Sequence, residues 1–215
     1  MNKFSWQRFE AAPIVGIIRN VPVEPIQRIA ALYAEGGLTT LEITLNTPGA
    51  ADVIHQLQNS IGDVLNIGAG TVCSLDELDI ALNAGASFIV TPIIEEEVIK
   101  KCVANGIPVF PGAFTPSEIY RAWSLGAEMI KLFPATKMGP DYIKEVLAPL
   151  NKIKLMPTGG VSPENCEAFF KAGASAVGMG SNLFPKDLIA ASDWEGLRVI
   201  YKQYGEMIRR IKSAV

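Results

Sequence analysis

The sequence predicts a (β/α)8 barrel with a short N-terminal helix, formed by residues 1–215 as a single domain. Three observations lead to this fold class. Eight short apolar segments recur at intervals of roughly 20 to 27 residues, and amphipathic segments fill the intervals. Glycines follow several of these amphipathic segments just before the next apolar one. Hydrophobic residues make up 49% of the chain, which is enough for a large core.

The eight apolar segments have the composition of buried parallel strands. Each is rich in β-branched or small residues and ends in Gly, Pro, Thr or a polar residue. They cover residues 14–19, 40–45, 66–72, 88–92, 108–113, 129–134, 154–158 and 176–180. An open doubly wound sheet is the alternative, but it usually has fewer strands and a glycine-rich first turn. No G-x-G-x-x-G follows the first segment, which favours the barrel.

The amphipathic segments carry helix start and stop signals. A Ser or Thr that can cap the first turn opens residues 74–84, 115–125 and 162–172. In the first of these, Ser74 and Glu77 have the spacing of a capping box, and in the other two a proline takes the first helical position. The glycine of an Ala-Gly-Ala or Leu-Gly-Ala sequence follows each of the three. We expect a further short helix over residues 4–11, closing the floor of the barrel.

Composition excludes several classes of function. A net charge of −3 gives no electrostatic reason to expect a nucleic-acid partner. The cysteines Cys73, Cys102 and Cys166 are far apart, which argues against a disulfide framework or a zinc site and is typical of a reducing compartment. The first residues contain no long apolar run, and no segment is apolar enough to cross a bilayer, so we expect a cytoplasmic protein. The single histidine, His55, is expected at the surface.

Strand alternation places two charged residues inside the barrel. In residues 129–133, Lys131 alternates with apolar residues that face the helices, so it points inward. In residues 41–46, the same alternation directs Glu42 and Asn46 inward. Isolated buried charges are costly, and both strands carry them near their carboxyl ends, where barrel enzymes place their chemistry. A buried structural ion pair is the alternative.

The chemistry that suits this pair is imine formation. Burial lowers the pKa of a lysine, and a neutral amine can attack a ketone to form an iminium, which accepts electrons when a neighbouring carbon–carbon bond breaks. Glu42 is then placed to move protons. Lys137 is a weaker candidate, because it lies in a loop. Arg19 ends the first strand at the same face of the barrel.

Glycines after the last two strands predict a phosphate site. Gly159 and Gly160 follow the seventh strand, and Gly180 and Ser181 follow the eighth. Barrels often hold phosphate with backbone N–H groups of these two loops. The alternative is that the glycines only permit tight turns.

The residues above belong to stretches that resemble one enzyme family. Over almost its whole length the sequence is similar to the class I aldolases of 2-keto-3-deoxy-6-phosphogluconate, 2-keto-3-deoxy-6-phosphogalactonate and 4-hydroxy-2-oxoglutarate. The matching stretches are residues 15–19, 41–48 (LEITLNTP), 68–72 (GAGTV), 90–92 (VTP), 129–134 (MIKLFP), 139–144 (GPDYIK), 157–161 (PTGGV) and 178–183 (GMGSNL).

The resemblance implies a homotrimeric aldehyde-lyase that needs no metal or other cofactor and releases pyruvate and glyceraldehyde 3-phosphate. It assigns the Schiff base to Lys131 and the proton shuttle to Glu42. It also implies a substrate pocket with a pyruvate side and a phosphate side, formed respectively by Arg19, Thr71, Pro92 and Phe133 and by Gly159, Gly160, Gly180 and Ser181.

Two positions leave the sugar epimer open. Asn46 is similar to the phosphogalactonate type, whereas Thr158 is similar to the phosphogluconate type. Two rival functions also remain. A phosphate-binding isomerase or epimerase does not need an inward lysine, and in a non-catalytic sugar-phosphate sensor Lys131 and Glu42 would be a structural pair.

Overall fold

Parallel strands and helices alternate along residues 3–213, which are the residues that this computed structural model describes. The strands are β1 (Ile14–Ile18), β2 (Thr40–Thr44), β3 (Asn66–Gly70), β4 (Ile89–Val90), β5 (Val109–Phe110), β6 (Gly112–Ala113), β7 (Ile130–Leu132), β8 (Leu155–Pro157) and β9 (Val177–Met179). All eight expected strands are present. The fifth is divided at Pro111 into β5 and β6.

The strands follow one another around a ring. Six form one sheet in the order β5-β4-β3-β2-β1-β9, and three form a second in the order β6-β7-β8. The chain itself joins the two sheets at Pro111, and a single bridge between Thr158 and Gly178 joins them at the other side. The predicted (β/α)8 fold is confirmed. Over residues 3–213 its hydrogen-bonded ladders form two arcs, and these two links join them.

The helices are α1 (Trp6–Ala11), α2 (Ile26–Glu35), α3 (Ala50–Ile61), α4 (Leu75–Asn83), α5 (Glu96–Ala104), α6 (Pro116–Ser124), α7 (Gly139–Leu147), α8 (Pro163–Lys171), α9 (Lys186–Ala190) and α10 (Trp194–Ser213). The glycines after α4, α6 and α8 have φ values of 96°, 99° and 103°, as expected of helix-ending glycines. No helix in the described part of the chain has both the length and the apolar character of a membrane span.

One helix start differs from the expected capping box. The hydroxyl of Ser74 accepts a hydrogen bond from the N–H of Glu77, as predicted. The carboxylate of Glu77, however, accepts from the N–H of Cys73 and not from that of Ser74. The hydrogen bond from the backbone to the glutamate side chain therefore begins one residue earlier than in a capping box. A full capping box forms instead at Thr115 and Glu118, at the start of α6.

The apolar side chains form two cores that the strand alternation separates. Ile130 and Leu132 face the helices and belong to the larger core. Met129 belongs to a smaller core inside the barrel. Phe9 of α1 closes this inner core from below, with its ring centroid 5.9 Å from that of Phe110. The inner core fills the lower part of the barrel interior.

Candidate active site

Lys131 lies in the middle of β7 and is only 3% exposed. Its Nζ is 4.9 Å from the ring centroid of Phe133. Burial lowers the pKa of Lys131, and the positive charge of Arg19 lowers it further, while Glu42 and Cys73 act in the opposite direction. The amine is therefore easier to deprotonate than an exposed lysine, which is the condition for attack on a carbonyl carbon.

Glu42 lies in β2 and is fully buried. Burial raises the pKa of its carboxyl group, and the positive charges of Lys131 and Arg19 lower it. Neither carboxylate oxygen forms a hydrogen bond with any group in the described part of the chain. Lys131 and Glu42 are thus coupled through their charges but are not bonded to each other, as a structural ion pair would be. An unpartnered buried carboxyl group is free to exchange a proton with a ligand.

Gly70 of β3 makes room for this carboxyl group. A Cβ atom at Gly70 would overlap with Oε1 and Cδ of Glu42. Only glycine leaves that space free, because every other residue would force the Glu42 side chain to move. The second glycine of the GAGTV stretch, Gly70, is therefore part of the arrangement that fixes Glu42.

We expect Gly70→Ala to lower the free energy of unfolding by about 1–3 kcal/mol, the usual cost of overpacking a filled core. Glu42→Asp in the same chain should recover part of that loss, since the shorter side chain withdraws from the new methyl group. Chemical denaturation of the two single variants and the double variant measures this coupling. Strictly additive losses would show that Gly70 and Glu42 do not share the space.

Four more predicted residues lie just beyond the ends of their strands. Arg19 follows β1, Thr71 follows β3, Pro92 lies two residues beyond β4, and Phe133 follows β7. Arg19 is exposed, while the other three are half-buried. Thr71 has a φ of 60°. Residues other than glycine rarely adopt this left-handed backbone conformation, and it is enriched at functional sites. All four stand at the same end of the ring as Lys131 and Glu42.

An open pocket of about 340 Å³ lies beside this cluster. The loops after β8 and β9 form one wall, and Arg19 and Phe133 line it as well. Within residues 3–213, the N–H groups of Gly159, Gly160 and Ser181 donate to no other protein group. Several free N–H groups that converge on one pocket suit an anion such as phosphate.

Thr158 and Asn46, the two positions that bear on the sugar epimer, lie in different surroundings. Thr158 is buried and lines the pocket, and its hydroxyl donates to the carbonyl oxygen of Met156 at 3.3 Å. Gly178 makes room for that hydroxyl, because a Cβ atom there would overlap with it. Asn46 was expected inside the barrel, but β2 ends at Thr44, so Asn46 lies in an exposed turn beyond the strand. Strand alternation does not extend into that turn.

The described residues contain no group of three or more His, Cys, Asp or Glu side chains that could hold a metal ion. His55 is exposed on α3, as expected, and contacts Asn59.

A family model described as KDPG and KHG aldolase matches residues 6–200. The chain belongs to this family. A 2-dehydro-3-deoxy-6-phosphogalactonate aldolase of Escherichia coli (strain K12) is 37% identical over 174 residues, which are 80% of this chain and 84% of that protein. A 2-dehydro-3-deoxy-phosphogluconate aldolase of Treponema pallidum (strain Nichols) is 32% identical over 91% of this chain and 94% of its own length.

A solved structure of a KDPG aldolase from Legionella pneumophila superposes with a TM-score of 0.84. It is 29% identical and covers 91% of this chain and 95% of its own, and it holds pyruvate as a covalent carbinolamine intermediate. A carbinolamine is the adduct of an amine with a carbonyl group. The chain is therefore an aldolase of the Schiff-base class, a carbon–carbon lyase.

Sequence reasoning missed several residues that line the pocket of this aldolase. Asn20 and Lys186 both contribute to it. Asn20 has a φ of 53°, and its N–H donates to the hydroxyl of Thr47 at 3.0 Å. Both residues lie outside the strands, where alternation gives no signal. The only available signal was that Lys186 follows closely after the Gly180–Ser181 pair.

Proposed function

We propose that this aldolase cleaves 2-dehydro-3-deoxy-6-phosphogluconate, its 6-phosphogalactonate epimer, or both, to pyruvate and glyceraldehyde 3-phosphate. The observation that carries the proposal is the buried lysine of β7, whose pKa is lowered by burial, coupled to a buried carboxyl group with no hydrogen-bond partner. Membership of the family and the names of its relatives support the substrate class.

In the proposed mechanism the neutral Nζ of Lys131 attacks the C2 carbonyl carbon and gives a carbinolamine. Protonated Glu42 then donates a proton to the hydroxyl group of the carbinolamine. This group leaves as water, and the iminium forms. The Glu42 carboxylate then accepts the proton of the C4 hydroxyl. The C3–C4 bond breaks, its electron pair enters the iminium to form an enamine, and glyceraldehyde 3-phosphate departs. Protonation at C3 and hydrolysis release pyruvate and restore Lys131.

The remaining site residues are proposed to hold the two ends of the substrate. Arg19 binds the carboxylate group, since its charge already acts on Lys131 and Glu42. Thr71, Pro92 and Phe133 enclose the pyruvate portion. The free N–H groups at the loops after β8 and β9 hold the phosphate group, from residues Gly159, Gly160, Gly180 and Ser181.

A coupled assay tests this function. Purified protein is mixed with either phosphorylated keto acid, and pyruvate is followed by its reduction with NADH and lactate dehydrogenase. We expect pyruvate and an equal amount of glyceraldehyde 3-phosphate. Interconversion of the two epimers without pyruvate would identify an epimerase instead, and binding without any conversion would identify a sensor.

Epimer preference should be small and should depend on Thr158. The epimers differ at C4, and a hydrogen bond from the Thr158 hydroxyl is worth about 0.5–1.5 kcal/mol, a few-fold to about tenfold. We expect both epimers to be cleaved, with a preference of no more than about a hundredfold. Thr158→Val should lower kcat/KM for the phosphogluconate epimer more than for the phosphogalactonate epimer. Equal losses of kcat/KM for both epimers would show that Thr158 does not distinguish the configuration at C4.

The lowered pKa of Lys131 predicts the pH dependence of adduct formation. The rate with pyruvate should rise with pH through an apparent pKa below the ordinary lysine value of 10.5, because only the neutral amine reacts. Glu42 raises the pKa of Lys131, so Glu42→Gln should move the inflection to lower pH. The rate of borohydride trapping against pH measures both. An inflection at or above 10.5, or a shift to higher pH in the variant, would contradict the assignment.

We further infer that the enzyme is a cytoplasmic homotrimer that works without a metal or other cofactor, since the iminium accepts the electrons that a metal ion stabilises in other aldolases. The family resemblance supports the trimer. So do the large apolar side chains that three successive helices expose, which are Ile80 of α4, Val103 of α5 and Tyr120 of α6. Light scattering after size-exclusion chromatography tests the trimer.

A further inference from the structure

We propose that Lys186 is the second cation of the substrate pocket and that it selects substrates with a terminal phosphate group over unphosphorylated keto acids. This inference rests on the proposed function and assigns a specificity residue to it. Lys186 begins α9 and lines the same pocket as the free N–H groups of Gly159, Gly160 and Ser181.

The charges that line this pocket have one sign. Among residues 3–213, Arg19 and Lys186 are the charged residues that line it, and none of its lining residues carries a carboxylate group. A concave site that carries two positive charges and no negative charge attracts an anion more strongly than a mixed surface does. A substrate with a carboxylate and a phosphate group matches these two charges.

The two cations serve different ends of the pocket. Arg19 acts on the pKa of both Lys131 and Glu42, so its guanidinium group belongs to the reacting end. Lys186 belongs to the phosphate end, because a tight turn folds its segment back onto the loop after β9. In this turn the N–H groups of Leu183 and Phe184 both donate to the carbonyl oxygen of Gly180, at 2.9 and 3.0 Å.

The turn is held in place by packing. Leu183 and Phe184 are both buried, and the ring of Phe184 stacks on Tyr33 with centroids 6.0 Å apart. The backbone that leads to Lys186 is therefore fixed at the rim of the pocket. Its side chain remains exposed.

Lys186 has no competing partner among the residues that the structure describes. It forms no salt bridge with any residue between 3 and 213, whereas Lys100, Lys101 and Lys171 are each paired with a carboxylate. An exposed, unpaired ammonium group at the mouth of an anion pocket can bind a phosphate group without first breaking an internal ion pair. Its contribution should be moderate and should decrease with ionic strength.

The test compares Lys186→Ala with Lys202→Ala, a control that removes the same charge from an exposed position on α10. In Lys186→Ala we expect KM for the phosphorylated keto acid to rise about five- to tenfold at low salt, with kcat within about twofold. The increase should shrink at high salt. Lys186→Arg should restore KM, and Lys202→Ala should behave as the wild type.

Two small probes, pyruvate and inorganic phosphate, distinguish selection for the phosphate group from a general loss of activity. The rate at which pyruvate forms a borohydride-trapped adduct should be the same in the wild type and in Lys186→Ala. Inorganic phosphate should inhibit the variant less strongly than the wild type. An unchanged KM, or an equal loss with pyruvate and with the phosphorylated substrate, would overturn the proposal.

Failure of the aldolase assignment can be distinguished from failure of the role proposed for Lys186. If the wild type neither releases pyruvate nor forms an adduct, the aldolase assignment fails, and calorimetric titration with glyceraldehyde 3-phosphate still decides the role of Lys186. Weaker binding to Lys186→Ala than to Lys202→Ala would support a phosphate-selecting lysine, and equal binding would exclude it.

Discussion

Replacing Lys131 by alanine is expected to abolish aldol cleavage, with kcat/KM reduced by more than about 10⁴-fold. The reaction depends on one amine that becomes covalently bound to the substrate, and removal of a covalent nucleophile is among the largest single losses that enzymes show. The fold should survive. Removing the cation deletes one of the two charges that lower the pKa of Glu42, so the buried carboxyl group can take a proton and lose its charge.

Lys137→Ala is the matched control. Lys137 lies six residues further along the chain, in the short 3₁₀ helix Ala135–Lys137, and its side chain is exposed, whereas that of Lys131 is buried. We expect this variant to retain wild-type kcat, KM and thermal midpoint. Steady-state kinetics and circular dichroism on both variants measure the difference. Appreciable turnover in Lys131→Ala, with a folded protein, would exclude Lys131 as the Schiff-base residue.

Glu42→Gln is expected to lower kcat by about 10² to 10⁴, the range typical of general acid–base groups. The amide keeps the shape of the side chain in the space that Gly70 leaves, but it cannot accept the C4 proton or deliver one to the leaving water. KM should change much less than kcat. Stability should be retained, because burial already raises the pKa of the carboxyl group and thereby disfavours its charged form.

Glu95→Gln provides the comparison for Glu42→Gln. Glu95 is half-buried at the start of α5, and its charge reaches Cys73, which also lies near Lys131. This variant removes a carboxylate near the site without removing the shuttle, so its kcat should remain close to that of the wild type. A loss below about tenfold in Glu42→Gln would assign proton transfer to another group or to an ordered water molecule.

The parts of the fold and site that the sequence predicts are those that strand periodicity determines. Lys131 falls between Ile130 and Leu132, whose apolar side chains must face the helices, so its inward direction follows from geometry alone. Glu42 follows from the same argument. Helix ends are equally local, since a glycine after each of α4, α6 and α8 has the positive φ that ends a helix.

The parts that the sequence does not predict lie where the strand periodicity is interrupted or has ended. The division of the fifth strand at Pro111 reflects a residue without an N–H group within a parallel ladder. The positive φ of Thr71 has no signature in its residue type, since threonine rarely adopts it. Asn46 lies in a turn and Lys186 at the start of a helix, where strand alternation does not apply. Only the folded chain shows that Asn46 lies outside the barrel and that Lys186 lines the pocket.

The most direct test of the central claim is reduction of the protein with borohydride in the presence of pyruvate, followed by intact mass measurement and peptide mapping. We expect one reduced pyruvate adduct per chain, carried by the peptide that contains Lys131. An unmodified mass, or an adduct on another lysine such as Lys137, would contradict a Schiff-base mechanism at Lys131.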